Sequence, residues 1–110
     1  MKTQHTPGPW KIGDRLNVYC ESLGTWVADC NRITNFSDEN IANARLIAAA
    51  PDLLFTIESI KTRAETMFKT ASHAAEQSEG TLKTNYQHEY MQWAEIIDRC
   101  STALNKAKGE

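Results

Sequence analysis

The first candidates in this 110-residue chain to ligate a soft metal or to act as nucleophile or base are its three cysteines, at 20, 30 and 100, and its three histidines, at 5, 73 and 88. Their spacing argues against both uses. The cysteines lie ten and seventy residues apart, and no histidine stands at zinc-motif distance from any of them. His73 and His88 straddle a glycine-containing turn and can approach each other, but two imidazoles without a third ligand make a weak site. Cys100 falls on an apolar helical stripe and Cys20 on the strand face of Leu16 and Val18, where a cysteine acts as a small hydrophobe. Cys30 is the thiol best placed for exposure, and no histidine is set by local sequence to activate it.

The acids do no better. Glu95 and Asp98 flank the stripe of the last helix and read as solvated charges rather than as carboxylates in a cleft. The glycines at 8, 13, 24, 80 and 109 are all isolated, so no phosphate-cradling loop is written in the chain. No catalytic set assembles, and the expectation is a non-enzymatic protein with no metal and no cofactor.

Bulk properties narrow the partners. Twelve basic and fourteen acidic side chains give a formal charge of −2. The balance is even: four of each sign over residues 1–38, then four basic and five acidic over both 39–78 and 79–110. Phosphate neutralisation drives general nucleic-acid binding, and no basic tract offers it. A regulatory protein that binds nucleic acid is the alternative reading, through Arg32, Arg45, Lys61, Arg63, Lys69, Lys83, Arg99, Lys106 and Lys108. An odd number of widely spaced cysteines fits a reducing cytoplasm better than a disulfide framework. The start, Met1-Lys2-Thr3-Gln4-His5, runs into prolines and does not read as a signal peptide, and the longest apolar run, Leu46–Ala50, is too short to span a membrane.

The positioning elements follow from periodicity, and the length fits a single domain over 1–110. Residues 1–9 read as an extended tail, because Pro7-Gly8-Pro9 cannot continue a helix. Trp10 either anchors that tail or sits in the core. Over 10–30 the period becomes two. Trp10 and Ile12 share one side, Gly13-Asp14 turns, Leu16, Val18 and Cys20 alternate with polar residues, Gly24 turns again, and Thr25–Ala28 forms a third strand carrying Trp26. This is a small antiparallel β-meander that needs a cover for its apolar face. After a polar connector at 31–38, Ser37 or Asp38 caps a short alanine-rich helix over 39–50, with Phe36 placed to staple onto Ile41. Pro51 suits a first helical position, so Ala50-Pro51 is a corner between two helices or, alternatively, a kink in one.

The rest predicts a long antiparallel two-helix hairpin over 51–78 and 82–107. On the first helix Leu53, Ile57, Ile60, Ala64, Met67, Ala71 and Ala74 step by four and three, with Leu54 and Phe68 widening the stripe. On the second, Tyr86, Tyr90, Trp93, Ile97, Cys100, Leu104 and Ala107 do the same, broadened by Met91, Ala94 and Ile96. Gly80 takes the left-handed turn and Thr81 caps the second helix. Ile60 and Ala64 should meet Trp93 and Ile97. A fully buried Trp93 would cost about 3–5 kcal/mol on truncation to alanine. Helices of roughly 26 residues run about 40 Å, longer than the meander can cover. The excess predicts a homodimer or a partner-docking surface. The fold class is therefore α+β.

Two strings carry a resemblance: His5-Thr6-Pro7-Gly8-Pro9-Trp10, and Asn43 through Leu54 (NARLIAAAPDLL). Together, over roughly residues 5–55, they resemble a widespread group of small proteins encoded by bacteriophages and prophages. The resemblance implies synthesis in the cytoplasm of an infected host cell and a variable C-terminal part. It also implies an accessory role, exerted by protein–protein contact with host or phage machinery. One version of that role inhibits a bacterial defence complex and so serves host takeover. It carries over no functional residues. From the residues themselves, the candidates for contact are Trp10, Trp26, Arg45, Tyr90 and Trp93. Arg45, with Asn43, either orders a polar network within the alanine-rich helix or faces solvent.

Overall fold

The computed structural model describes residues 5–30 and 37–109. Most of the predicted connector, with Phe36 and Arg32, lies outside the described residues. The chain divides into two compact units, Met1–Leu53 and Leu54–Glu110.

The first unit carries three short strands, β1 (Trp10–Ile12), β2 (Asn17–Cys20) and β3 (Trp26–Asp29), paired antiparallel in the order β1-β2-β3. Trp10 stands opposite Cys20 and Ile12 opposite Val18; Val18 stands opposite Ala28, with an irregularity between Val18 and Tyr19. The alternation expected of β2 is present: Leu16, Val18 and Cys20 are buried while Asn17 and Tyr19 are half-buried. Leu16 takes φ 60°, a left-handed conformation rare for a branched residue. It is held there by burial and by its carbonyl, which accepts from the Cys30 amide at 3.1 Å. Gly24, at φ 67°, turns β2 into β3.

Helix α1 (Asp38–Ala48) covers the sheet. Ser37 is its N-cap, its Oγ accepting from the Asn40 amide at 3.2 Å, so Ser37 and not Asp38 starts the helix. Ala44 is fully buried against Leu16 and Val18, with Trp10, Val27, Ala28, Ile41 and Ile47 packed around them. A methyl side chain at the centre of α1 is what lets its backbone come close to the strands. Ile12, two positions from Trp10 on the same side of β1, is exposed. Ala49 alone, itself right-handed helical at φ −80° and ψ −8°, separates this helix from the next, which begins at Ala50. The amide of Ala49 closes α1 on the Arg45 carbonyl at 3.1 Å, and its own carbonyl accepts from Leu53 as the next helix begins.

Helix α2 spans Ala50–Glu76 and α3 spans Gly80–Lys108; they pack as an antiparallel hairpin. Phe68 of α2 meets Tyr90 of α3 edge-on, ring centroids 5.5 Å apart. Gly80 takes the left-handed φ of 68° as expected, but α3 begins there, with Glu79 at the cap position and no side-chain cap. Thr81 lies inside the helix, which corrects its expected capping role. Gly109, at φ 76°, closes the far end.

The stripe of α2 also differs from the expected one. Ala64 and Ala71 are buried, but Ala75 rather than Ala74 completes the buried line, Phe68 joins it, and Ile60 is 46% exposed. Buried Ala64, half-buried Phe68 and buried Ala71 and Ala75 still step by four, three and four. The covered side of the shared Ala64–Ala71 row is the one that carries Phe68 and Ala75, not the one that carries Ile60 and Ala74. On α3 the expected line holds, from Tyr86 through Leu104, while Met91, Ala94 and Ala107 are exposed.

Candidate functional site

The titratable candidates do not converge. Among the described residues no group of three or more His, Cys, Asp or Glu side chains could hold a metal ion. His73 and His88 are both exposed. Cys20 is buried and its Sγ lies 3.4 Å from Ser22 Oγ. The Ser22 hydroxyl holds this thiol below the ordinary cysteine range, burial pushes it back up, and hydrogen bonds to the backbone of Leu23 and Ser22 lower it again. Glu95 takes up Arg99, Oε1 to Nη2 at 2.6 Å, in an exposed i,i+4 pair worth about 0.3–0.5 kcal/mol.

The five contact candidates have distinct placements. Trp10 combines both readings given for it. It is half-buried against the sheet core, and its Nε1 donates to the carbonyls of Thr6 at 3.1 Å and Pro7 at 3.2 Å, which ties the tail down. The ring of His5 stands edge-on to it at 6.2 Å. Behind this loop Gly8 sits on Pro51, at the start of α2. A Cβ on Gly8 would come within 2.8 Å of the proline Cβ, so only glycine fits without displacement. The two strings that carried the resemblance therefore touch at this point. Trp26, on β3, is 65% exposed, and Leu23 before it is exposed as well. Arg45 is exposed on α1. Tyr90 is half-buried on Phe68, and Trp93 is half-buried two positions short of Glu95.

The hairpin unit has the more developed surface feature. Phe55, Thr56, Ser59, Ile60 and Arg63 of α2 and Trp93 of α3 line an open hollow of about 370 Å³. A second, of about 770 Å³, shares Phe55, Ser59 and Arg63 and runs on along α2 past Thr62 and Thr66 to Met67, with Glu58 on its edge. Phe55 is 72% exposed. The hydroxyls of Ser59, Thr62 and Thr66 donate to the carbonyls four residues earlier, at 3.0–3.3 Å. Their donors are thus satisfied within the helix, which lowers the cost of covering them. Sequence reasoning placed Trp93 and Ile60 together but missed Phe55, which lies outside the four-three stripe. Arg63 was considered only as a phosphate contact.

These are the features of a small α+β protein that presents apolar side chains on a sheet unit and on a helical hairpin. The family model described as Salmonella phage P22 protein Y8K6 matches residues 1–110, and the chain belongs to that family. No curated protein and no solved structure matches it. The kinship extends over the hairpin, past residue 55 where the resemblance read from the sequence stopped. Among the described residues no helix is long and apolar enough to cross a membrane.

Proposed function

We propose that this phage-family protein is a non-enzymatic accessory factor acting by contact with a host or phage protein in the cytoplasm of the infected cell. The observation that supports the reading most is the side of the hairpin around Phe55, Ile60 and Trp93. Large apolar side chains there border an open hollow, while among the described residues of the unit only Ala64, Ala71, Ala75 and Leu104 are buried. Exposed contiguous apolar surface of this kind marks interaction sites, and aromatic residues dominate their energetics. Trp26 offers a second anchor on the sheet unit. Affinity purification from infected cells, followed by mass spectrometry, tests the role. It should return a partner in stoichiometric amount, and a tagged chain that returns none would overturn it.

Inhibition of a bacterial defence complex is the narrower version. Expression of the chain in a defended host should then raise phage plating efficiency at least tenfold against one system; unchanged plating across a panel of systems would remove that version and leave the contact role standing. A homodimer is a further possibility that the length of the hairpin suggests. Light scattering after size exclusion reads it directly, as a mass near twice 12.4 kDa.

A further inference from the structure

We infer that the hollow between α2 and α3 seats an acidic amphipathic helix of a partner protein, one large apolar side chain filling it and a neighbouring carboxylate pairing with Arg63. This deepens the contact role proposed above and rests on it.

Three observations lead to that occupant. The hollow is open to solvent and offers about 370 Å³ beside apolar side chains, room for a large apolar side chain laid against them. Phe55, Ile60 and Trp93 line it together with the smaller Thr56 and Ser59. The one charge among its lining side chains is Arg63. Among the described residues Arg63 has no ion pair or hydrogen bond, whereas Arg99 is held by Glu95 and Lys11 lies 3.4 Å from Glu21. A guanidinium beside two aromatic walls is a receptor for a planar carboxylate. It offers a two-pronged donor set that a lysine lacks, and partial desolvation strengthens the pairing.

The shape points the same way. The longer hollow is lined by α2 alone, from Phe55 past Thr62 and Thr66 to Met67, so this open strip follows a helix axis and suits another helix laid along it. The Ser59, Thr62 and Thr66 hydroxyls are already bonded to their own helix and ask nothing of the ligand. Glu58 borders the longer hollow only, so the acidic group of the partner belongs at the Trp93 end, away from that carboxylate.

The test is selection of a displayed library of random helical peptides on the full-length wild-type chain, with Arg63→Glu and Ile60→Ser as counter-targets. Both substituted residues are exposed, and thermal melting confirms that each variant folds. The expected result is enrichment of peptides pairing Asp or Glu with Leu or Phe one turn away. Their binding should fall at least tenfold on Arg63→Glu and on Ile60→Ser. Enriched peptides that are basic or neutral, or that bind both variants as well as wild type, would overturn the inference, as would no enrichment at all. Sedimentation of the chain alone adds a further arm: a dimer dissolved by both substitutions would assign the trough to a second copy and overturn the inference too. A partner captured from infected cells equally by wild type and both variants would sink this site while leaving the contact role intact.

Discussion

In the sheet-bearing unit the side chains removed from water are Val18, Cys20 and Ala44, ringed by Trp10, Val27, Ile41 and Ile47. In the hairpin they are Ala64, Ala71, Ala75 and Leu104, while Ile57, Met67, Tyr90 and Trp93 stay half-buried and Phe55 stands in solvent. Three strands and a helix can enclose a volume. Two helices side by side share only a line, so small residues fill the seam and the larger ones spread to its flanks. The first unit therefore spends its apolar residues on its own interior. The second keeps many of them at the surface, where they contribute to stability only partly and are free to contribute to binding.

Substitutions separate the two regimes. The largest effect belongs to Val18→Asp, which puts a charge into the sheet core with no partner. It should cost more than about 4 kcal/mol, enough to unfold the unit, and chemical denaturation should show the sheet transition lost. Trp10→Ala removes a half-buried aromatic and the donor that ties Thr6 and Pro7. A loss of about 2–3 kcal/mol is expected by the same measurement, and a loss below about 0.5 kcal/mol would mean that the tail is not held by the indole. Gly8→Ala forces its new Cβ against Pro51. It should cost about 1–3 kcal/mol as overpacking, read as a lowered melting temperature, and Pro51→Gly, which removes the Cβ it meets, should relieve part of that penalty in the double variant. On the hairpin, Trp93→Ala should cost only about 1–2 kcal/mol, because the indole is half-buried; a value of about 3–5 kcal/mol would restore the fully buried placement expected from periodicity.

Much of this architecture was legible in local spacing. The alternation of Leu16, Val18 and Cys20, the turn glycine at 24, the cap at Ser37 and the four-three steps of both long helices each state a local rule, and the elements obey them. What escaped was of two kinds. The Gly8–Pro51 contact joins the tail to the start of α2 through tertiary geometry, and no periodic signal encodes it; the Trp10 anchor was one of two readings the sequence left open, and it holds carbonyls only three and four residues back. The inward line of α2 was misplaced toward Ile60 and Ala74 because apolar side chains stand on both flanks of the Ala64–Ala71 row, Phe68 and Ala75 on one and Ile60, Met67 and Ala74 on the other, and spacing alone does not say which flank is covered. That same misplacement hid the trough. Ile60 was assigned to the seam and Phe55 to no face at all, so neither stood out as a wall. Trp26 and Arg45 were placed on their elements correctly, but nothing in their spacing distinguishes an exposed anchor from an ordinary surface residue.

The contrast between the units is tested most directly on Phe55→Ser/Ile60→Ser, by measuring partner capture from infected cells alongside thermal melting. The expected result is a melting temperature within about 5 °C of wild type, as suits changes at solvent-facing positions, with the stoichiometric partner lost. Undiminished capture by the folded double variant would contradict the account, because the exposed apolar side of the hairpin would then serve no contact.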